Sequence, residues 1–135
     1  MTEPGTDLQF PLRVACVDMG SNAIRFVVAE FASEREYVLL VNDRQPVRLG
    51  HGVFLSGRLD PQAMEAAVQA MVGFKAEMDR LGVVHARAVA TSALRESSNR
   101  KDLIDAVRRE TGLALQVISG SEEARLVHLA VASRV

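Results

Sequence analysis

RVACVDMGSNAIRFVVAEF, residues Arg13 to Phe31, is the stretch on which the fold turns. Two short apolar runs, Val14–Val17 and Ile24–Ala29, flank a polar tip at Asp18-Met19-Gly20-Ser21-Asn22. Both runs are rich in β-branched residues, which favours strands over helices. Gly20 to Asn22 is turn chemistry, so the segment reads as a β-hairpin. Its tip offers backbone N–H groups, a hydroxyl and an amide, the groups that gather around an anion, so Gly20, Ser21 and Asn22 are read as phosphate-binding. A bare aspartate repels phosphate. Asp18 shares such a site when a cation lies between them, and Mg2+ is the natural choice because it takes carboxylates and substrate phosphates together. The plainer alternative is a type I′ or II′ hairpin with Asp18 bonded into its own turn.

The bulk numbers bound the rest. A chain of 135 residues suits one domain and buries about two-thirds of its unfolded surface. With 48% hydrophobic and 24% charged residues it has the composition of a soluble globular protein. A net charge of −1 supplies no overall basic field for nucleic acid or anionic membrane. No run approaches a membrane span and the first ten residues are too polar for a signal peptide, so the cytoplasm is the expected compartment. The single Cys16 has no partner for an internal disulfide and reads as a buried core thiol.

Outward from the hairpin, residues 1–10 read as an N-terminal tail and 11–135 as one domain. Glu36–Asn42 is the third strand of an antiparallel meander. Asp43–Arg58, with three glycines and a proline, reads as a loop holding His51 at the surface. Arg48 in that loop is either a fork donor over a phosphate or an ordinary solvated arginine. Asp60-Pro61 opens the longest helix, with methionines on its buried stripe, and Gly82 closes it. Val83–Thr91 is a fourth strand, with His85 on its solvated side. Its carboxyl end carries Thr91, Ser92 and Arg95, where ligands collect in open α/β sheets. Asn99 then caps a second helix with Asp102 as its partner, closed by Gly112. Leu113–Ile118 is the fifth strand, and a third helix carrying His128 runs to the end of the chain.

Ser119-Gly120-Ser121-Glu122 fits a capping box in which Glu122 returns to the first turn. Glu123 is left without that task. A solvated first-turn acid and a functional carboxylate both account for it.

The order β-β-β-α-β-α-β-α resembles one ribonuclease H-like lobe of the actin/Hsp70/sugar-kinase superfamily, an α/β fold with a five-stranded mixed sheet. VDMGSNAIRFVVAE, ATSALRESSNRKDLIDAV and VISGSEEARL, in that order between Val17 and Leu126, closely resemble the N-terminal domain of the exopolyphosphatase/guanosine-pentaphosphate phosphohydrolase (Ppx/GppA) family. The resemblance implies that Gly20, Ser21 and Asn22 surround phosphate and that Asp18 lies near Mg2+. It implies that Arg95 and Arg48 face the phosphate chain, and that Glu123 is the catalytic base. It further implies hydrolysis of the terminal phosphate of polyphosphate or guanosine pentaphosphate (pppGpp). Ala23 departs from the family's usual serine. The second phosphate loop and second lobe do not follow within the chain, so a truncated domain that binds substrate weakly and turns over slowly or not at all is expected, with self-association as a homodimer through the uncovered face. The competing readings are a non-catalytic polyphosphate- or alarmone-binding regulatory module and, less favoured, a sugar or acetate kinase lobe.

Overall fold

A computed structural model describes residues 9–125 of the chain. Most of the expected N-terminal tail, the end of the third helix and His128 lie outside the described residues. The chain runs β1 (Leu12–Met19), β2 (Ile24–Phe31), β3 (Tyr37–Gln45), α1 (Leu49–Ser56), α2 (Pro61–Arg80), β4 (His85–Ala90), α3 (Ser92–Arg95), α4 (Arg100–Thr111) and β5 (Leu115–Val117). Residues 120–125 are helical again.

The strands form one mixed sheet in the order β3-β2-β1-β4-β5. β1, β2 and β3 pair antiparallel, whereas β4 and β5 add in parallel with β1. This is the five-stranded arrangement expected from the sequence. Side chains alternate across the sheet. In β1, Ala15, Val17 and Met19 enter the core, joined by Ile24, Phe26 and Val28 of β2 and by Ala88 and Ala90 of β4. Helices α2 and α4 cover that face through Ala67, Met71, Phe74, Met78, Leu103 and Val107. Phe26 and Phe74 stack with ring centroids 4.6 Å apart.

Asp60 caps α2 as anticipated, its carboxylate accepting the Ala63 N–H at 3.2 Å. Met71 and Met78 sit in the core and His85 is exposed, both as expected. β3 is one of the two edge strands, and Tyr37, Val38, Leu39 and Leu40 remain exposed on it.

Three readings are corrected. Cys16 is exposed, because the alternation that buries Ala15 and Val17 turns it to the opposite face. Asp43–Arg58 is not a loop throughout, since Asp43–Gln45 completes β3 and Leu49–Ser56 is α1. Two glycines weaken that helix by propensity, about 1 kcal/mol each against alanine. Burial of Leu49 and Val53 overrides the loss, and the glycines allow a close approach. A Cβ at Gly50 would lie 2.9 Å from the Ser21 Cβ, and one at Gly52 would lie 3.0 Å from the Arg58 carbonyl. Gly57, at φ +74°, then ends the helix. Finally, Asn99 stands at the N-cap of α4 without a side-chain capping bond, because its amide is engaged by Leu59.

Phe74→Ala should lower the unfolding free energy by about 3–5 kcal/mol through lost stacking and a cavity against Phe26. Urea titration checks this, and a loss under about 1 kcal/mol would show the site collapsing freely.

Candidate phosphate site at the strand ends

β1, β4 and β5 run parallel, so the loops that follow them leave one edge of the sheet together. Backbone bonds carry the ladder past the strand ends. Thr91 N–H donates to the Met19 carbonyl at 3.2 Å, and Ile118 N–H donates to the Ala90 carbonyl at 3.0 Å. The three polar tips are therefore neighbours.

The first tip is a tight reversal in which Gly20 N–H donates to the Ala23 carbonyl at 3.0 Å. Neither Ser21 nor Asn22 has a positive φ, so the turn is not of the primed types considered from the sequence. Its register sets Asp18 directly across from Arg25. Ser21 is tied on two sides. Its hydroxyl lies 2.9 Å from that of Ser92, which opens α3, and its carbonyl accepts the Gly50 N–H of α1 at 2.8 Å. Asn22 is exposed.

Arg95, at the end of α3, links the second tip to the third. Its Nη1 donates to the Ile118 carbonyl at 2.7 Å and lies 3.8 Å from Glu123 Oε2. The anchoring of one guanidinium nitrogen fixes the direction of the fork. The capping box forms only in half. Ser119 Oγ accepts the Glu122 N–H at 3.1 Å, but the Glu122 carboxylate turns to Arg125, with contacts of 3.0 and 2.7 Å. Arg125 lies one turn along the same face, and its charge outbids a neutral backbone N–H. Glu123 is half-buried and faces Arg95.

Glu123 also acts on Asp18. Partial burial first, and the Glu123 charge second, push the Asp18 carboxyl above its ordinary 3.8, with Arg25 opposing them. Asp18 and Glu123 repel one another at the edge that also carries the Ser21 and Ser92 hydroxyls, and carboxylates are the hard-oxygen ligands that a cation of the Mg2+ kind takes. Among the described residues no group of three or more His, Cys, Asp and Glu side chains forms a metal site. A cation shared with a bound phosphate needs only one or two carboxylates.

Thus Gly20, Ser21, Asp18, Arg95 and Glu123 belong to one edge of the sheet. Arg48 stands apart from this bonded set. It is exposed just before α1 and borders an open groove of about 660 Å3 with His51, Leu55, Arg58 and Asp60. Sequence reasoning missed Gly50 and Arg25. The glycine pair at 50 and 52 was a signal for close approach. A hairpin centred between Ser21 and Asn22 already pairs Asp18 with Arg25.

Comparison with known proteins places the chain among relatives of one family. Residues 27–135 match the Ppx/GppA phosphatase family. The chain is 31% identical over 120 residues to exopolyphosphatase 1 of Mycobacterium leprae, covering 89% of this chain and 35% of that protein. The counterpart from Mycobacterium tuberculosis is 28% identical over the same shares. The Aquifex aeolicus PPX-GPPA enzyme superposes with a TM-score of 0.86 at 32% identity, over 92% of this chain and 41% of that one. An exopolyphosphatase from Cytophaga hutchinsonii gives a TM-score of 0.81 at 34% identity, over 84% and 36%. The chain therefore spans about a third of the length of the curated relatives it matches. No helix among the described residues is long and apolar enough to cross a membrane.

Because its carboxyl pKa is raised on folding, Asp18 favours the folded chain fully below 3.8, and that contribution is lost as pH climbs through the raised value. Asp18→Asn should consequently raise Tm at neutral pH, with the advantage closing below 3.8. Thermal unfolding across pH checks the sign; a lower neutral Tm in the variant would contradict it.

Proposed function

We propose, since this chain belongs to the Ppx/GppA phosphatase family, that it supplies one jaw of a phosphohydrolase acting on the terminal phosphate of inorganic polyphosphate. Guanosine pentaphosphate ends in the same linear phosphate and is the second substrate considered. The observation that carries the reading is the bonded convergence of the Ser21 tip, Arg95 and Glu123 on one sheet edge.

The chemistry follows from charge. Transfer of a phosphoryl group to water needs positioning and neutralisation of the equatorial oxygens more than covalent help. Ser21, Asn22 and the N–H groups of their tip orient the terminal phosphate, and Ser92 adds a hydroxyl beside them. Arg95, held by the Ile118 carbonyl, presents its remaining N–H groups to non-bridging oxygens. Glu123 then orients the attacking water and accepts its proton. Asp18 is the carboxylate that would hold Mg2+, whose bound charge offsets that of the phosphate chain. A cation held by Asp18 would also offset the repulsion it feels from Glu123. The chain spans about a third of the length of its curated relatives, and the rest of that length would close the site from the other side.

In a protein that carries this chain together with the remaining part of its relatives, Glu123→Gln should cut phosphate release from polyphosphate by about 100- to 10,000-fold. Binding should stay within about threefold, because the water rather than the phosphate is the partner of Glu123. An undiminished rate would favour the non-catalytic binding module. Arg95→Lys keeps the charge but loses the fork, and should weaken polyphosphate binding about tenfold by equilibrium titration. Unchanged affinity would remove Arg95 from the site.

A further inference from the structure

The amide of Asn99 is buried and makes two bonds to a single residue. Its Oδ1 accepts the Leu59 N–H at 2.7 Å, and its Nδ2 donates to the Leu59 carbonyl at 3.1 Å. Ser98 N–H adds a third bond, to the Gly57 carbonyl at 2.9 Å. Residues 57–59 link α1 to α2, whereas 98 and 99 link α3 to α4, so these three bonds join two loops about forty residues apart. Local capping does not explain them. A carboxamide carries a donor and an acceptor in one plane, which matches the N–H and C=O of one peptide-bonded residue as a neighbouring strand would.

The consequence lies at the other end of α1. That helix is fastened behind by the Leu59 clamp and meets the phosphate tip in front through Gly50, whose N–H holds the Ser21 carbonyl. Only a glycine allows this approach, since a Cβ at position 50 would stand 2.9 Å from the Ser21 Cβ. From the other loop, α3 carries Ser92 against the Ser21 hydroxyl and Arg95 against Ile118. The clamp thus sets the spacing between two elements that both grip Ser21.

We infer that Asn99 is a positioning residue for phosphate binding: through Leu59 it holds α1 and α3 at the separation that presents the Ser21 tip. The inference rests on the phosphate reading above for its functional part, but its structural part stands on the clamp alone. Asn99 is buried and spends its amide on Leu59. Its effect passes through α1 to Gly50.

The test compares Asn99→Ala, Asn99→Asp and Thr111→Val in the 135-residue chain. Thr111 is an equally buried polar residue, bonded to Val107 and Leu113 at the far end of α4, and serves as the control for general destabilisation. Two quantities are read: exchange of the Gly50 amide by NMR, and the Kd for tripolyphosphate with MgCl2. Asn99→Ala should speed Gly50 exchange beyond Thr111→Val and weaken tripolyphosphate about tenfold, the control leaving affinity unchanged. Asn99→Asp adds a pH signature that simple loss of stability would not produce. A protonated carboxyl both donates and accepts, so this variant should approach the unmodified chain near pH 5 and depart from it near pH 8, roughly the range where a buried carboxyl titrates. This comparison also serves where Asn99→Ala does not fold. Equal Gly50 exchange in Asn99→Ala and Thr111→Val, or an Asn99→Asp chain that tracks the unmodified one at both pH values, would overturn the clamp. Should the unmodified chain bind no tripolyphosphate, the phosphate reading fails, and Gly50 exchange still decides the role of Asn99.

Discussion

The parallel pairing of β1 with β4, and of β4 with β5, is the constraint from which the site follows. Parallel strands start and stop in the same sense, so whatever the chain places after each of them meets at one edge. Here the ladder continues one bond beyond the strands, at Thr91 and at Ile118, which leaves little freedom for the tips to part. Groups seventy and a hundred residues apart in the chain are thereby placed side by side. The antiparallel hairpin supplies the remaining piece: it turns back over the same edge and sets Arg25 across from Asp18.

Much of this was legible from residues alone, and the reason differs from element to element. β1, β2 and α2 declare themselves because their burial is one-sided and periodic, and Asp60-Pro61 marks a helix start by its own chemistry. The family likeness, and the mixed sheet it implies, were legible for a different reason: three separated polar motifs fell at the ends of apolar runs. α1 was not legible. Its glycines argue against a helix locally, and the contact that makes Gly50 necessary lies with Ser21, about thirty residues away. Asn99 misled for a related reason, since a residue suited to capping had a distant peptide group to satisfy instead. Cys16 shows the limit of short apolar runs, where a four-residue window does not reveal which face each residue takes. The half-formed capping box turned on a competition that pattern matching does not weigh, a guanidinium at Arg125 against a backbone N–H.

The electrostatics of the sheet edge run against stability. Asp18 is held where burial and Glu123 both disfavour its charge, and one arginine across the hairpin only partly offsets them. A fold optimised for stability alone would place a neutral side chain there. Sites that bind a cation and an anion together commonly carry such uncompensated charge in the empty state, because binding supplies the missing counter-charge. The same acid is therefore a cost to the free chain and an asset once a ligand arrives.

The nine-residue edge strand β3 has a consequence of another kind. One side of its backbone has no neighbouring strand among the described residues, and its first half shows tyrosine, valine and leucines to water. Proteins usually blunt such borders with charge or proline, yet here Asp43 and Arg44 guard only the far half. In concentrated or warmed solution the sticky half is a nucleus on which stray β-structure can grow, so colloidal behaviour is governed at Tyr37–Leu40, away from the polar tips at the strand ends.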